Sequence, residues 1–410
     1  MDLPINHNKP LIMHVDLNSC FAMVEQQANP LIRNKPVAIA AYDSPGGMII
    51  ASSYEAKALG IKLGVSVREA RLIYPDIIIQ MPDPEKYFDV HRKFKKVLLK
   101  YTSEIFPKSV DEFVLNFDGS NSIRDRIDLV RVGEQIKKDV KNEIGSYLTI
   151  NVGIGPNRFL AKLAAGLNKP DGLNVINHRN LLKTYSKLEL IDLPGINVRF
   201  KTRLNLARIY TPIDFLKADG SFLKHTVFKS ISGYYWYLRL RGYEIDQQLF
   251  SRKSFSQQYA LGQKTSNKEE LSRLIMKLSE KAGRRMRQAG YSANSVYLFM
   301  LFKDHTYFRR YKKLRYSLYS TQDIYIELFK ILNNAQIPDK VSNISISLSN
   351  LITANLRQIN LFENTYLDPS SLTFASDMIN DKYGEFSLIP ARMARMENII
   401  LKRVPFGSIQ

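Results

Sequence analysis

A chain of 410 residues is long enough for several domains, and 45% hydrophobic with 24% charged residues is the make-up of a folded soluble protein, not of a disordered or fibrous one. Its 59 Lys and Arg against 39 Asp and Glu leave a charge of +20 at pH 7 and a pI near 9.7, a surplus that points to a polyanionic partner, nucleic acid first and an acidic membrane second. The single cysteine, Cys20, excludes an internal disulfide and a cysteine-based zinc site and fits a reducing cytoplasm; the N-terminal MDLPINHNK has no basic-then-apolar leader, and no apolar run is long enough to span a bilayer.

Leu11 to Phe21 (LIMHVDLNSCF) is an apolar, strand-like run carrying one acid, Asp16. A helical pattern follows through Ala22, Val24 and Glu25 and stops near Asn29-Pro30. Val37 to Tyr42 reads as a short strand, Ser44-Pro45-Gly46-Gly47 as a hairpin turn, and Met48 to Ser53 as the returning strand. Tyr54 to Gly60 is a helix with a glycine stop, and a second short helix ends at Pro75. Tyr54 and Lys57 are three apart and share a helix face. A phenol with an ammonium suits a triphosphate tail; a merely solvated helix face is the other reading. Lys86 to Phe106 forms a long amphipathic helix with Phe88, Val90, Phe94, Val97, Leu98 and Tyr101 as its core-facing side.

Lys108 to Gly119 (KSVDEFVLNFDG) is a second β-prone apolar run, and it carries Asp111 and Glu112 side by side. Unpaired buried carboxylates are costly, so the pair needs a cation, hydrogen bonds or water; a hairpin tip facing solvent would also meet that need. Were the two acidic strands neighbours in one sheet, three carboxylates would converge and hold two Mg²⁺ ions. Such a pair of ions can clamp both oxygens of an in-line phosphoryl displacement. Adjacent strand residues point to opposite faces, so Asp111 and Glu112 can share a site only at a bend or a strand end.

Ile127 to Ile144 is a further helix, Leu148 to Ile154 a strand, Gly153-Ile154-Gly155 a turn, and Asn157 to Leu167 a helix with small residues for close packing. The glycine spacing is not that of a P-loop. The helix ends at Asn168 to Gly172, where Lys169 either serves chemistry or satisfies the helix dipole. Residues 173–243 read as short helices and turns. Within them LIDLPGINVRF (Leu190 to Phe200) resembles a helix-hairpin-helix, usually Pro-Gly-[IV]-Gly, with Gly195 in place and Asn197 where the second glycine would stand. Asn tolerates left-handed geometry, and helix N-terminal amides can take a phosphate. Arg199, Lys201, Arg203 and Arg208 add charge there.

Residues 244–253 form a linker, after which strand and helix patterns return. Leu271 to Met286 is a helix and Ser295 to Phe302 a strand. Val341 to Leu351 alternates, with Ile344, Ile346 and Leu348 against Ser345, Ser347 and Ser349, a sheet with one wet face. Tyr307 to Tyr316 (YFRRYKKLRY) interleaves aromatics with basic residues, among them Arg309, Arg310, Lys312 and Lys313. It fits a strand lying against phosphates, and a membrane surface is the alternative. The segment from 357 to 410 lacks the low complexity of a disordered tail.

Asp16, with the segment Ser109-Val110-Asp111-Glu112, resembles the Y-family translesion DNA polymerases of the bacterial ImpB/MucB/SamB type, over roughly the first 350 residues. The resemblance implies a multi-domain α/β right hand. Its palm would be residues 1–21 and 83–172, its fingers 22–82, its helical thumb 173–243, and its α/β little finger 254–356. It implies template-directed nucleotidyl transfer from a dNTP to a primer 3′-hydroxyl, with low fidelity and bypass of damage in an SOS-type repair response. Asp16, Asp111 and Glu112, with the Leu17 carbonyl, would hold two Mg²⁺ ions, Mn²⁺ being able to substitute. Cys20, Phe21, Tyr54, Lys57 and Lys169 would meet the incoming nucleotide, Phe21 as the steric gate against ribonucleotides. The family commonly has Arg where Lys57 stands, so the bidentate grip on phosphate is lost here. Gly195, Asn197, Arg199, Lys201, Arg309, Arg310, Lys312 and Lys313 would hold primer-template DNA, largely through its backbone. Gln358, Leu361 and Phe362 match the Gln-x-x-Leu-Phe form of the bacterial clamp-binding peptide, so the replicative sliding clamp is an expected partner. A cytoplasmic monomer with no membrane partner is expected. Two rivals are another two-metal palm enzyme, such as a nucleotide cyclase, and a non-catalytic DNA- or clamp-binding member of the fold.

Overall fold

The computed structural model describes residues 3–119, 127–247, 252–353, 369–394, 396 and 399–400. Those up to 247 form one compact unit and those from 252 a second. In the first unit the elements that position the candidate site are β1 (Ile12–Leu17), α1 (Cys20–Ala28), β2 (Val37–Ala40), β3 (Ile49–Ser52), α2 (Tyr54–Ala58), α3 (Val67–Ile73), β4 (Ile78–Gln80), α4 (Pro84–Leu98), β5 (Ile105–Pro107), β6 (Glu112–Asn116), α5 (Leu129–Glu143), β7 (Ile150–Gly155), α6 (Arg158–Gly166) and β8 (Leu173–Val175).

The main sheet has the order β5-β6-β1-β7-β8. It takes in Leu173–Val175, one strand past the expected start of the thumb. Both faces of β1 are covered, which is why its sequence reads as a nearly unbroken apolar run. Met13, Val15 and Leu17 face the main core with Phe113, Leu115, Ile150 and Val152, against Phe94 and Leu98 of α4 and Ile136 and Val140 of α5. The buried side of α4 is Tyr87, His91, Phe94, Val97 and Leu98. It is rotated from the expected one, leaving Phe88 and Val90 half-buried, while Tyr101, beyond the helix end, donates to Asp139 Oδ2 (2.7 Å).

The other face of β1, with Ile12, His14 and Asp16, lies under α6. Opposite these residues β7 places Gly155, Gly153 and Asn151. Gly153-Ile154-Gly155 is therefore strand, not the expected turn. The glycines serve a close approach. A Cβ on Gly153 would sit 2.1 Å from both Ala161 O and Ala165 N, and one on Gly155 2.6 Å from Ala161 N. Backbone cannot yield as a side-chain tip can, so Gly153→Ala is expected to destabilise the unit by roughly 2 kcal/mol. The denaturant midpoint measures this; an unchanged midpoint would mean that α6 is not seated there.

The three-stranded sheet β3-β2-β4 carries α2 and α3. Ser53 caps α2, Gly60 ends its turn at φ 85°, and Ser66 with Glu69 forms a capping box on α3. Residues 176–240 are helical and share a core around Phe215, Phe228 and Trp236. Within it α7 (Val198–Leu206) follows the Pro-Gly turn, and Gly195 takes the left-handed φ of 93°. Asn197 does not. It is extended at φ −101° and caps α7, accepting from the Phe200 amide (3.0 Å). The last helix of this core is α8 (Ile231–Leu240).

In the second unit β9 (Ser254–Thr265), α9 (Lys268–Gln288), β10 (Tyr291–Phe302), β11 (Tyr307–Leu318), α10 (Thr321–Asn333) and β12 (Val341–Thr353) form a sheet of order β11-β10-β12-β9 with α9 and α10 packed on one face. Ile344, Ile346 and Leu348 are buried and the alternating serines lie on the open face, as the period of two requires. The tail adds α11 (Pro369–Tyr383), which packs with its polar side inward. Asp377 pairs with Arg287 through two bonds (2.6 and 2.9 Å) and Asp381 with Arg284 (2.5 Å), while Leu372, Phe374, Met378 and Tyr383 are exposed. No helix among the described residues is long and apolar enough to cross a membrane.

Candidate active site

The two acidic strands are neighbours. β1 pairs antiparallel with β6, and Asp16 lies directly opposite Glu112. β5 and β6 form a hairpin whose tip is 108–111. Asp111 is thus at the tip and Glu112 is the first strand residue, so a strand end removes the difficulty of adjacent residues pointing apart. The tip does not simply face solvent. Asp111 is half-buried, its carbonyl accepts the Leu17 amide (2.9 Å), and Ser109 Oγ donates to its carboxylate (2.5 Å) while accepting the Glu112 amide (3.1 Å).

Asp16 and Asp111 line one cavity of about 290 Å³ together with Leu17, Cys20, Phe21, Lys57 and Lys169. Glu112 stands beside it. Ligand atoms of Asp16, Glu112 and His14 all lie within 4.8 Å of one another, the one such cluster among the described residues. Burial pushes the Asp16 carboxyl up, and Glu112 and Asp111 add to the shift against the pull of Lys169. Burial likewise raises Asp111, with Glu112 adding and Ser109 opposing. For Glu112 burial also pushes upward, but His14 if charged, Lys162 and Lys169 together outweigh it and hold the carboxyl below its usual range. Burial drives His14 down to about 3. It is therefore neutral at pH 7, where Lys162 supplies the compensating charge.

Two lysines now hold the carboxylates: Lys169 Nζ is 2.8 Å from Asp16 Oδ2 and Lys162 Nζ 2.7 Å from Glu112 Oε2. Partly buried oxygen donors whose own charges raise one another's pKa want a hard cation, and the donor set of three carboxylates with a backbone carbonyl suits Mg²⁺ or Mn²⁺. His14 does not line the cavity; both its ring nitrogens are buried and find no hydrogen-bond partner.

Lys57 is a second cation in the cavity lining. Lys57 Nζ donates to Ser19 Oγ (2.6 Å) and lies 4.7 Å from the Tyr54 ring centre. Burial lowers the Lys57 pKa, with Lys169 adding and Asp16 opposing. Burial raises Tyr54, whose hydroxyl engages Ser19 and Asn18. Cys20 is buried, and burial with Asp111 and Asp16 pushes its thiol far above the reactive range. Phe21 is 5% exposed and stacks on Tyr87 (4.5 Å between ring centres, 19° between planes). It is both a core residue and a cavity wall.

The expected DNA contacts are less uniform. Gly195, Asn197 and Arg199 are exposed, and Lys201 pairs with Glu189 (3.0 Å). On β11 the register splits the basic set. Arg309 and Lys313 lie opposite Phe299 and Ser295 on the open face, whereas Arg310 and Lys312 lie opposite Leu298 and Val296 on the helix side. The four do not share one surface, because neighbouring strand residues alternate. Gln358, Leu361 and Phe362 lie outside the described residues.

Sequence reasoning passed over His14, Lys162 and Ser19. His14 was within reach, since it is two residues from Asp16 on a strand and so shares its face. Lys162 carried no signal, because only the fold brings α6 over β6.

The impB/mucB/samB family model matches residues 15–166, and that of the family's C-terminal domain matches 252–361. The chain is similar to a DNA polymerase IV of Pelotomaculum thermopropionicum, 28% identical over 93% of this chain and 94% of that one. It is also similar to a DNA polymerase IV of Staphylococcus aureus (strain MRSA252), 26% identical over 86% and 98%. Among solved structures it resembles a Y-family DNA polymerase chimera of Dbh and Dpo4, with TM-score 0.71 at 23% identity over 84% of this chain and 99% of that one. An insertion ternary complex of Dbh DNA polymerase is similar over the same shares, with TM-score 0.56 at 23% identity.

Proposed function

As this chain belongs to the impB/mucB/samB family, and so is a Y-family DNA-directed DNA polymerase built of palm, fingers, thumb and little finger, we propose that it performs translesion synthesis by two-metal nucleotidyl transfer. The observation that carries this reading is the meeting of Asp16, Asp111 and Glu112 at one end of the β1–β6 pair, with Lys57 and Lys169 lining the same cavity as the two aspartates and Tyr54 set against Lys57. Carboxylates and lysines are gathered at one cavity, the groups that a triphosphate bridged to metal would require.

In this reading the primer 3′-hydroxyl gives up its proton to solvent as its oxygen bonds to the α-phosphorus of the dNTP, the bond from that phosphorus to the bridging oxygen breaks, and pyrophosphate leaves with the bond pair. Asp16, Asp111, Glu112 and the Leu17 carbonyl would hold two Mg²⁺ ions, which supply acidity to the primer hydroxyl and charge neutralisation to the leaving group. Lys169 and Lys162, now on the carboxylates, would have to leave them for the carboxylates to hold metal, and Lys169 would then be free to meet phosphate. Tyr54 donates a hydrogen bond and Lys57 a point charge to the β- and γ-phosphates. Phe21 bounds the sugar. The open face of the little-finger sheet, with Arg309 and Lys313, tracks the duplex backbone. Primer extension on a damaged and an undamaged template with Mg²⁺ tests the whole. Extension that needs both primer-template and divalent metal is expected, whereas arrest at the lesion, or activity without DNA, would overturn it.

The peptide Gln358 to Phe362 docks on the sliding clamp: two apolar anchors and one polar group are enough to set register in a pocket. Leu361→Ala with Phe362→Ala is expected to leave distributive extension intact and to remove stimulation by clamp. Full stimulation of the double variant would show that the dock is elsewhere, and collapse of basal activity would show that these residues are core.

A further inference from the structure

A second cavity, of about 490 Å³, opens on the helix side of edge strand β11. Arg310 and Lys312 of β11 and Lys330 and Asn334 at the end of α10 line it, with Phe308 and Ile331 as apolar walls. Its cations are organised rather than scattered. Glu327, 2% exposed, accepts from Lys312 and Lys330 (2.6 Å each) and from the Tyr316 hydroxyl (3.0 Å), fixing both ammonium groups at the rim. An ammonium has three donors and each spends one on Glu327. Arg310 has no hydrogen-bond or ion-pair partner among the described residues. Three cations against one carboxylate leave a net positive cavity, with donors to spare and an apolar floor.

That chemistry suits the phosphate of a nucleic-acid strand, with a base or sugar on Phe308 and Ile331. Which strand follows from the register. Arg309 and Lys313 point to the open face and Arg310 and Lys312 to the opposite one. A duplex, stiff over about 150 base pairs, cannot lie on the open face and turn round the sheet edge as well. A single strand can. We propose that this cavity is a phosphate site for a single-stranded nucleic-acid segment, separate from the face that carries the duplex; this rests on the reading of that face given above.

The test compares labelled blunt duplex with the same duplex bearing a single-stranded extension of about 15 nucleotides, using the full chain. Wild type should bind the extended substrate more tightly. Arg310→Ala with Lys330→Ala should lower affinity for it about tenfold, to the level of blunt duplex, while blunt-duplex affinity stays within about twofold and the salt slope for the extended substrate flattens. Arg310→Lys with Lys330→Arg should keep the preference. Equal loss on both substrates, or loss on neither, overturns the proposal, and because the readout is a ratio, a partly unfolded variant cannot mimic success. Inorganic phosphate at constant ionic strength should not erase the preference; if it does so at about millimolar concentration, the cavity takes free phosphate and the strand reading falls. Arg309→Ala with Lys313→Ala should weaken both substrates. Failure of that arm alone would overturn the duplex face and leave the cavity standing.

Discussion

Asp111→Ala is expected to slow primer extension by roughly 10³-fold or more while moving primer-template affinity by no more than about threefold, since a metal clamp supplies several kcal/mol to the transition state and each 1.36 kcal/mol is a decade in rate. Asp111 lines the cavity with Asp16 and sits at the hairpin tip, and it is not among the basic residues proposed to hold DNA. A second readout separates metal binding from catalysis. Burial and the charge of Glu112 raise the Asp111 pKa above its unfolded value. Such a group binds its proton more tightly in the folded chain, so at a pH above the unfolded value its ionisation opposes folding. Without metal, Asp111→Ala should therefore melt at or above the wild-type temperature. Added Mg²⁺ should raise the wild-type melting temperature by mass action and leave the variant's nearly unmoved. Extension near the wild-type rate, or an undiminished Mg²⁺ shift in the variant, would remove Asp111 from the metal site.

The acidic site was legible because its residues break local rules. A carboxylate in an apolar strand has to be accounted for, and both runs that contain one belong to a single sheet. The bend that lets Asp111 and Glu112 cooperate was not legible, since nothing in KSVDE says where β6 begins. Gly153 and Gly155 misled for a related reason. Glycine marks turns and close approaches alike, and only the arrival of α6 over β7 decides between them. Arg309 and Arg310 were grouped by charge, although the period of two that sorted Ile344 from Ser345 would have separated them as well. Asn197 was read for its tolerance of left-handed backbone, while its stronger tendency, capping the next helix, prevailed. The inward polar face of α11 had no local signal, because Arg284 and Arg287, the residues that fix it, lie about 90 positions earlier in the chain.

Phe21→Ala is expected to raise ribonucleotide incorporation relative to deoxyribonucleotide by about 100-fold, the scale on which a pocket discriminates a single added group. The argument starts from where the ring is held. α1 begins directly after β1, so Phe21 is carried to the cavity wall beside the carboxylates. Its ring stacks on Tyr87, which is wholly buried on α4. It cannot swing aside without opening the core between α1 and α4, and a wall that cannot yield is what exclusion by clash requires. The same burial means that Phe21→Ala removes core volume, a loss of about 3–5 kcal/mol in other cores, so total activity is a poor readout. The ratio of rNTP to dNTP efficiency is a sound one, because both substrates meet the same folded fraction. Phe21→Leu, which keeps most of the volume but not the flat ring, should give a smaller rise in the same direction. A ratio unchanged in both variants, each still active with dNTPs, would make Phe21 a core residue alone and place the gate against the 2′-hydroxyl elsewhere in the cavity.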